Sequence, residues 1–195
     1  MNDSRNFIEI IIDQDLQNGL DPDNLCFRFP PEPNGFLHVG HVKAIVLNFE
    51  LAKIYSAKLN LRFDDTNPEN EDQKYIDAIK SDVNWLGYSW DEERYASDYF
   101  QQLYEWSLKL INEDKAYVDS QTSEEISDQK GTPKEPGKNS PFRNRTIEEN
   151  TTLFKQMKEG KVEPGKHVLR AKIDMSSPNM LMRDPVIYRV LNAYH

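Results

Sequence analysis

Cysteine is almost absent from this 195-residue chain, which carries Cys26 alone. One thiol excludes an internal disulfide framework and fits a reducing compartment, a cytoplasmic one. In the middle of an apolar stretch, Cys26 is expected to be a small buried hydrophobe. Long apolar runs are missing too. Met1 to Arg5 is polar, and the cluster Phe7 to Ile12 is short and interrupted by Glu9. Neither a membrane span nor a secretory leader is therefore expected. Positive charge is scarce, with 24 Lys and Arg against 33 Asp and Glu and a net charge of −9. At first sight this argues against a nucleic-acid partner, but the deficit is uneven. Residues 1–114 hold 10 basic residues against 22 acidic ones, whereas residues 115–195 hold 14 against 11. Lys130 to Arg145 carries Lys130, Lys134, Lys138, Arg143 and Arg145 with Glu135 as its one acid. Local patches, not overall charge, neutralise phosphates, and a solvated surface loop is an equal alternative here. No repeat or low-complexity tract interrupts the chain, whose length suffices for one large or two small domains.

What is present is organised around Leu25 to Lys43, LCFRFPPEPNGFLHVGHVK. Leu25 to Phe29 alternates as a strand does, and Pro30, Pro31 and Pro33 end any ladder. Asn34-Gly35 supplies a turn. From Val39 to about Ser56 the period is helical, with Val42, Ile45, Val46, Phe49 and Ala52 on one stripe. A strand feeding a helix N-terminus through such a turn offers N–H groups and a positive dipole end to an anion. His38 and His41, three residues apart, sit on one side of that helix start. Each imidazole can donate to a phosphate oxygen and titrate near neutral pH. Gly40 leaves room for a flat ring. Two other readings stay open: a pair of cap-region histidines, or a two-histidine metal site. The second is weaker, since no nearby Cys or carboxylate completes a ligand set, and no metal is expected.

A second strand, Lys58 to Asp64, follows, which makes a βαβ unit and so a parallel sheet with both loops opening at one end. Phe7 to Leu16 has a helical apolar face expected to cover the sheet. Glu71 to Leu86 reads as a helix with Tyr75, Ile76, Ile79, Val83 and Leu86 inward, stopped by Gly87. The aromatics of Trp85-Leu-Gly-Tyr-Ser-Trp90 are expected in a core. Arg94 to Asp98 leads into a helix from Tyr99 to Asn112, capped by Ser97 or Asp98, with Leu103, Trp106, Leu110 and Ile111 buried. Beyond it the character is mixed: strands at Ala116–Asp119, His167–Asp174 and Val186–Leu191, and capping boxes Thr122/Glu125 and Thr146/Glu149 opening two helices.

The stretch Phe29 to Lys43, with His38-Val39-Gly40-His41, resembles the signature of class I aminoacyl-tRNA synthetases, and its Pro-Pro-Glu-Pro-Asn-Gly lead-in is similar to their glutaminyl branch. Gly137-Lys-Asn-Ser-Pro-Phe-Arg143, Val168 to Asp174 and Met182-Arg-Asp-Pro-Val186 extend the resemblance. It implies an α/β fold: the first half of a Rossmann-like nucleotide-binding domain over residues 1–98, then a mixed α+β inserted domain over 99–195 that binds the tRNA acceptor stem. It implies ATP as a substrate, Mg²⁺ accompanying it, glutamine and tRNA as partners, no tightly bound cofactor and a monomer. His38 and His41 would be catalytic. Glu32, Pro33, Asn34, Val39, Gly40, Val42, Lys43 and Ala44 would join them around ATP, and Arg28 and Asp64 would hold glutamine. Lys130, Pro133, Lys134, Lys138, Arg143 and Arg145 would meet the tRNA. Relatives place an apolar residue at the tip of the loop near Gly131, where this chain has Thr132-Pro133-Lys134. No lysine-bearing KMSKS-like motif is found, so an N-terminal fragment, inactive alone, of a glutamine-attaching ligase is expected. A glutamyl relative or a non-catalytic RNA-binding piece are the alternatives.

Overall fold

The computed structural model describes residues 5–191. The chain falls into two compact units that divide between Tyr99 and Phe100.

The first unit alternates helix and strand: α1 (Phe7–Gln17), β1 (Cys26–Phe29), α2 (Val39–Tyr55), β2 (Lys58–Phe63), α3 (Gln73–Trp85) and β3 (Glu92–Tyr95). The strands pair in parallel in the order β1-β2-β3, with Phe29 opposite Leu61 and Phe63 opposite Tyr95. Alternation along a strand sends Phe27, Phe29, Leu59, Leu61 and Phe63 to one face. There they meet Ile45, Phe49 and Ala52 of α2 and Ile79 and Val83 of α3 in one apolar cluster. The opposite face carries Cys26, Arg28, Asn60 and Arg62. Cys26 is exposed there, contrary to the buried role expected, because it falls on the polar side of the alternation.

Five other expectations are corrected in this unit. Glu92–Tyr95 is a third strand, not the approach to a helix; it has no apolar alternation and is held by its ladder to β2 and by Tyr95 stacked on Phe63 at 5.2 Å. Ser97 is not a helix cap; its N–H and hydroxyl donate to the buried Asp65 carboxylate. Trp85 is 84% exposed, while Tyr88 and Trp90 of the same segment pack on the core. Val46, placed on the inward stripe of α2, is exposed, and α1 buries Ile12 but leaves Phe7 and Ile11 in solvent. That helix is tied down by the Tyr55 hydroxyl, which donates to the Glu9 carbonyl and the Asp13 carboxylate.

The second unit contains α4 (Phe100–Asn112), β4 (Ala116–Asp119), α5 (Ser123–Gln129), α6 (Ile147–Lys158), β5 (Val168–Ala171) and β6 (Val186–Arg189). The strands form an antiparallel sheet in the order β4-β5-β6. Both capping boxes form as the sequence predicts, with Thr122 and Thr146 accepting from the Glu125 and Glu149 N–H groups. The core joins Tyr104, Ile111, Ala116, Val118, Phe154, Met157 and Leu169. The buried stripe of α4 runs through Tyr104, Ser107 and Ile111, so Trp106 is half exposed. Of the expected stripe Ile111 is buried and Leu103 and Leu110 are half-buried, whereas Trp106 lies about 100° off the buried Ser107. Beneath this sheet lie buried charges: Arg170 pairs with Asp119 at 2.8 Å, and Asp184 accepts from Arg143, Tyr117 and the Ile173 N–H. Among the described residues no helix is long and apolar enough to cross a membrane.

Candidate functional site: a histidine-capped helix start at the carboxyl end of a parallel sheet

The loops that leave β1 and β2 open at the same sheet end, because the strands are parallel. They are stitched to each other. The Asp64 N–H donates to the Pro31 carbonyl at 2.9 Å and the Asp72 N–H to the Pro33 carbonyl at 3.2 Å. Pro31 and Pro33 are buried, and Phe36 meets Tyr75 edge-on at 5.1 Å, so the first loop is seated on the start of α3. Glu32 and Asn34 alternate outward and are exposed.

This seated loop delivers His38 as the N-cap of α2. Its backbone is extended, and its Nδ1 accepts from the Gly40 N–H at 3.0 Å. His41, one turn in, returns the favour: its Nδ1 accepts from the His38 N–H at 3.1 Å. This is a capping box in which imidazoles replace the usual Ser and Glu. It also assigns the tautomer. A nitrogen that accepts a backbone N–H carries no proton, so in each neutral ring the proton is on Nε2. The rings lie 4.0 Å apart, both residues are solvent-accessible, and their Nε2–H groups are left to donate outward over the helix N-terminus. The geometry thus shows the cap reading of these histidines, and a phosphate role would use the other nitrogen of each ring.

Gly40 is a steric requirement of this arrangement. A Cβ there would stand 2.7 Å from His38 Cε1 and 2.9 Å from Nδ1, and would meet nothing else. Gly40→Ala is expected to leave α2 intact or slightly firmer, since alanine is the better helix former by about 1 kcal/mol. It should also displace the His38 ring and open the cap, a loss of about 1 kcal/mol that offsets the gain. The melting temperature is therefore expected to stay near that of the unchanged chain while the NMR signals of the His38 ring shift.

Arg28, the third residue of β1, is opposite Asn60 in register and exposed. Asp64 follows the last residue of β2 and continues the same alternation, with its carboxylate 3.7 Å from the Arg62 guanidinium. Arg28 and Asp64 therefore stand on one sheet face, about 13 Å apart along the strand direction, with Arg62 beside Asp64. Asp65, next in sequence, turns the other way: it is buried and binds Ser97. Val39, Lys43 and Ala44 are exposed on the first turns of α2, and Val42 is half-buried. Among the described residues no three His, Cys, Asp or Glu side chains gather as a metal set.

In the second unit the six residues expected at RNA divide. Pro133, Lys134 and Lys138 are exposed and Lys130 is half-buried, along the loop that follows α5. Arg143 and Arg145 point inward instead. Arg143 binds Asp184 at 2.7 Å, which raises its pKa further. Arg145 donates to the Val118 carbonyl and the Ser120 hydroxyl, lies over the Phe142 ring, and is lowered by burial. Both guanidiniums are held by partners within the second unit. The sequence offered no sign of this, because their acceptors are backbone groups and a distant aspartate.

The chain matches the family model described as tRNA synthetases class I (E and Q), catalytic domain, over residues 24–195. It therefore belongs to that family. Within it, the chain is 55% identical over 194 residues to a glutamine–tRNA ligase of Clostridium kluyveri, covering 100% of this chain and 35% of that protein. It is 58% identical over 193 residues to one of Haemophilus influenzae, covering 98% of this chain and 34% of that protein. The chain thus spans about a third of the length of the curated relatives it matches. Its fold is shared by a crystal structure of a glutamate tRNA ligase from Elizabethkingia meningosepticum in complex with its amino acid, at a TM-score of 0.55 and 24% identity, over 76% of this chain and 32% of that one.

Proposed function

We propose that the protein is a glutamine–tRNA ligase, and that this chain carries the phosphate-facing part of its activation site. A glutamine carboxylate oxygen attacks the α-phosphorus of ATP and the bond to pyrophosphate breaks; a hydroxyl at the 3′ end of tRNA then attacks the adenylate's acyl carbon, and the acyl–phosphate bond breaks with AMP leaving. Negative charge grows on the phosphate oxygens during the first step. The two outward Nε2–H groups and the N-terminus of α2 are donors fixed beforehand where that charge appears. The observation that carries the reading is this reciprocal cap, which presents both imidazoles as donors. Glu32, Pro33, Asn34 and the first turns of α2 from Val39 to Ala44 would line the ATP side. Mg²⁺ would enter on the triphosphate. Arg28 and Asp64 would take the two ends of the amino acid. Lys130, Pro133, Lys134 and Lys138 would face the acceptor stem. A cytoplasmic location and a monomeric state go with the reading.

The glutamyl alternative is kept by the family model, which covers both amino acids. ATP–pyrophosphate exchange in the full-length protein with tRNA present decides between them. Exchange is expected with glutamine and not with glutamate, because a site built for a neutral amide leaves polar groups unpaired when the wrong side chain enters. Exchange driven by glutamate would overturn the assignment. The chain of 195 residues alone is expected to show little or none.

A further inference from the structure

We infer that Arg183 is a positioning residue for the loop 130–136, holding it in the shape that offers Pro133 and Lys134 to RNA; this rests on the ligase reading above. Arg183 is 2% exposed, and every hydrogen bond its guanidinium makes among the described residues goes to a backbone carbonyl. Nε donates to the Ser177 oxygen at 2.7 Å. Nη1 donates to three oxygens of one loop: Lys130 at 2.5 Å, Glu135 at 2.9 Å and Thr132 at 3.0 Å. A buried cation is costly unless its protons are all met. Here the Ser177 carbonyl meets the Nε proton and the loop's carbonyls meet those of Nη1, and the dependence is mutual. Three carbonyls turned toward one point would be left facing each other without the cation between them.

The rest of the loop is built to fit. The Thr132 and Glu135 N–H groups donate to each other's carbonyls at 3.2 Å, closing a four-residue tip, and the Thr132 hydroxyl accepts from the Lys134 and Glu135 N–H groups. Gly131 has φ +70°, and a Cβ on it would lie 2.7 Å from the Pro136 oxygen. With the carbonyls drawn inward, Pro133 and Lys134 stand exposed at the tip. The planar fork of arginine suits several acceptors in a fixed arrangement, whereas a lysine ammonium is a single point on a flexible stem. The neighbouring Asp184 carboxylate is held by the Arg143 ion pair and the Tyr117 hydroxyl, not by Arg183, so the loop and that cluster are separable.

The test uses the full-length protein and fluorescence anisotropy with labelled tRNA, alongside steady-state charging. Arg183→Lys is expected to weaken tRNA binding about tenfold, and to raise KM for tRNA while leaving KM for ATP and glutamine unchanged. Amide hydrogen exchange at Thr132 and Glu135 should quicken in the variant while the strand amides of β4 and β5 stay protected. A purely structural role would not produce the final sign, which is coupling. Lys134→Ala should weaken binding in the wild-type background and have no added effect beside Arg183→Lys, because the loop no longer presents that side chain. Additive losses, or unchanged tRNA affinity in Arg183→Lys, overturn the proposal. The binding experiment does not require glutamine to be the substrate. Failure of glutamine charging in the wild type with the coupling intact would sink the ligase reading and leave the clamp standing.

Discussion

Replacing His41 with glutamine should lower turnover about a hundredfold to a thousandfold and leave the melting temperature almost where it was. The argument turns on which nitrogen each ring uses. His41 Nδ1 accepts the His38 N–H, a task that glutamine at the third helical position performs in ordinary capping boxes. His38→Asn is the matching change at the cap, since asparagine is among the preferred N-cap residues and can accept from the Gly40 N–H. Both variants keep the fold side of the arrangement and delete the outward imidazole donor. Loss of one preorganised donor aimed at developing charge costs about 3–4 kcal/mol in the transition state. Alanine at position 38 is the poorer probe, because it also removes a cap worth about 1 kcal/mol. The measurement is pyrophosphate exchange in the full-length protein, with thermal melting on the same samples. Turnover that stays within a few-fold of wild type would remove the imidazoles from the chemistry and leave them as caps alone.

The alternation of β1 and β2, the long period of α2, the two Thr/Glu boxes and the run of prolines were legible in the sequence because each is a local rule about a few adjacent residues. Several failures come from a partner far away in the chain, and others from the phase of a helix. Glu92–Tyr95 has no strand pattern of its own; β2 makes it a strand, and Lys80 pairs with Glu93 above it. Trp85 and Trp106 were placed inside because aromatics usually are, yet the helical phase that fixes them is set by the neighbours Ile79, Val83, Tyr104 and Ile111. Arg143 and Arg145 look the same on paper as Lys134 and Lys138. They differ because the fold brings a buried Asp184 and the Val118 carbonyl within reach of their planar forks. At the site, the motif gave the two histidines and Gly40, but only coordinates show that each Nδ1 is occupied and hence which nitrogen is offered.

Asp119→Ala should destabilise the second unit by about 3–5 kcal/mol, the largest stability loss expected of a single polar change here. Both side chains of the Asp119–Arg170 pair are fully buried, and their contact is 2.8 Å. Removing the carboxylate leaves the guanidinium with the Asp184 carbonyl and the Met175 sulfur. It also strips the Gln121 N–H of its acceptor. The comparison that identifies the cause is the double change Asp119→Leu with Arg170→Met. Where both charges go, the desolvation cost goes with them, and the double variant should recover a large part of the loss. Because the chain has two units, a global midpoint mixes them; Trp106 fluorescence with Trp85 and Trp90 replaced by phenylalanine reports on the second unit by itself. An Asp119→Ala midpoint equivalent to a loss below about 1 kcal/mol would mean that water reaches the pair, and that the charges at the base of β4 and β5 are not the anchor their burial indicates.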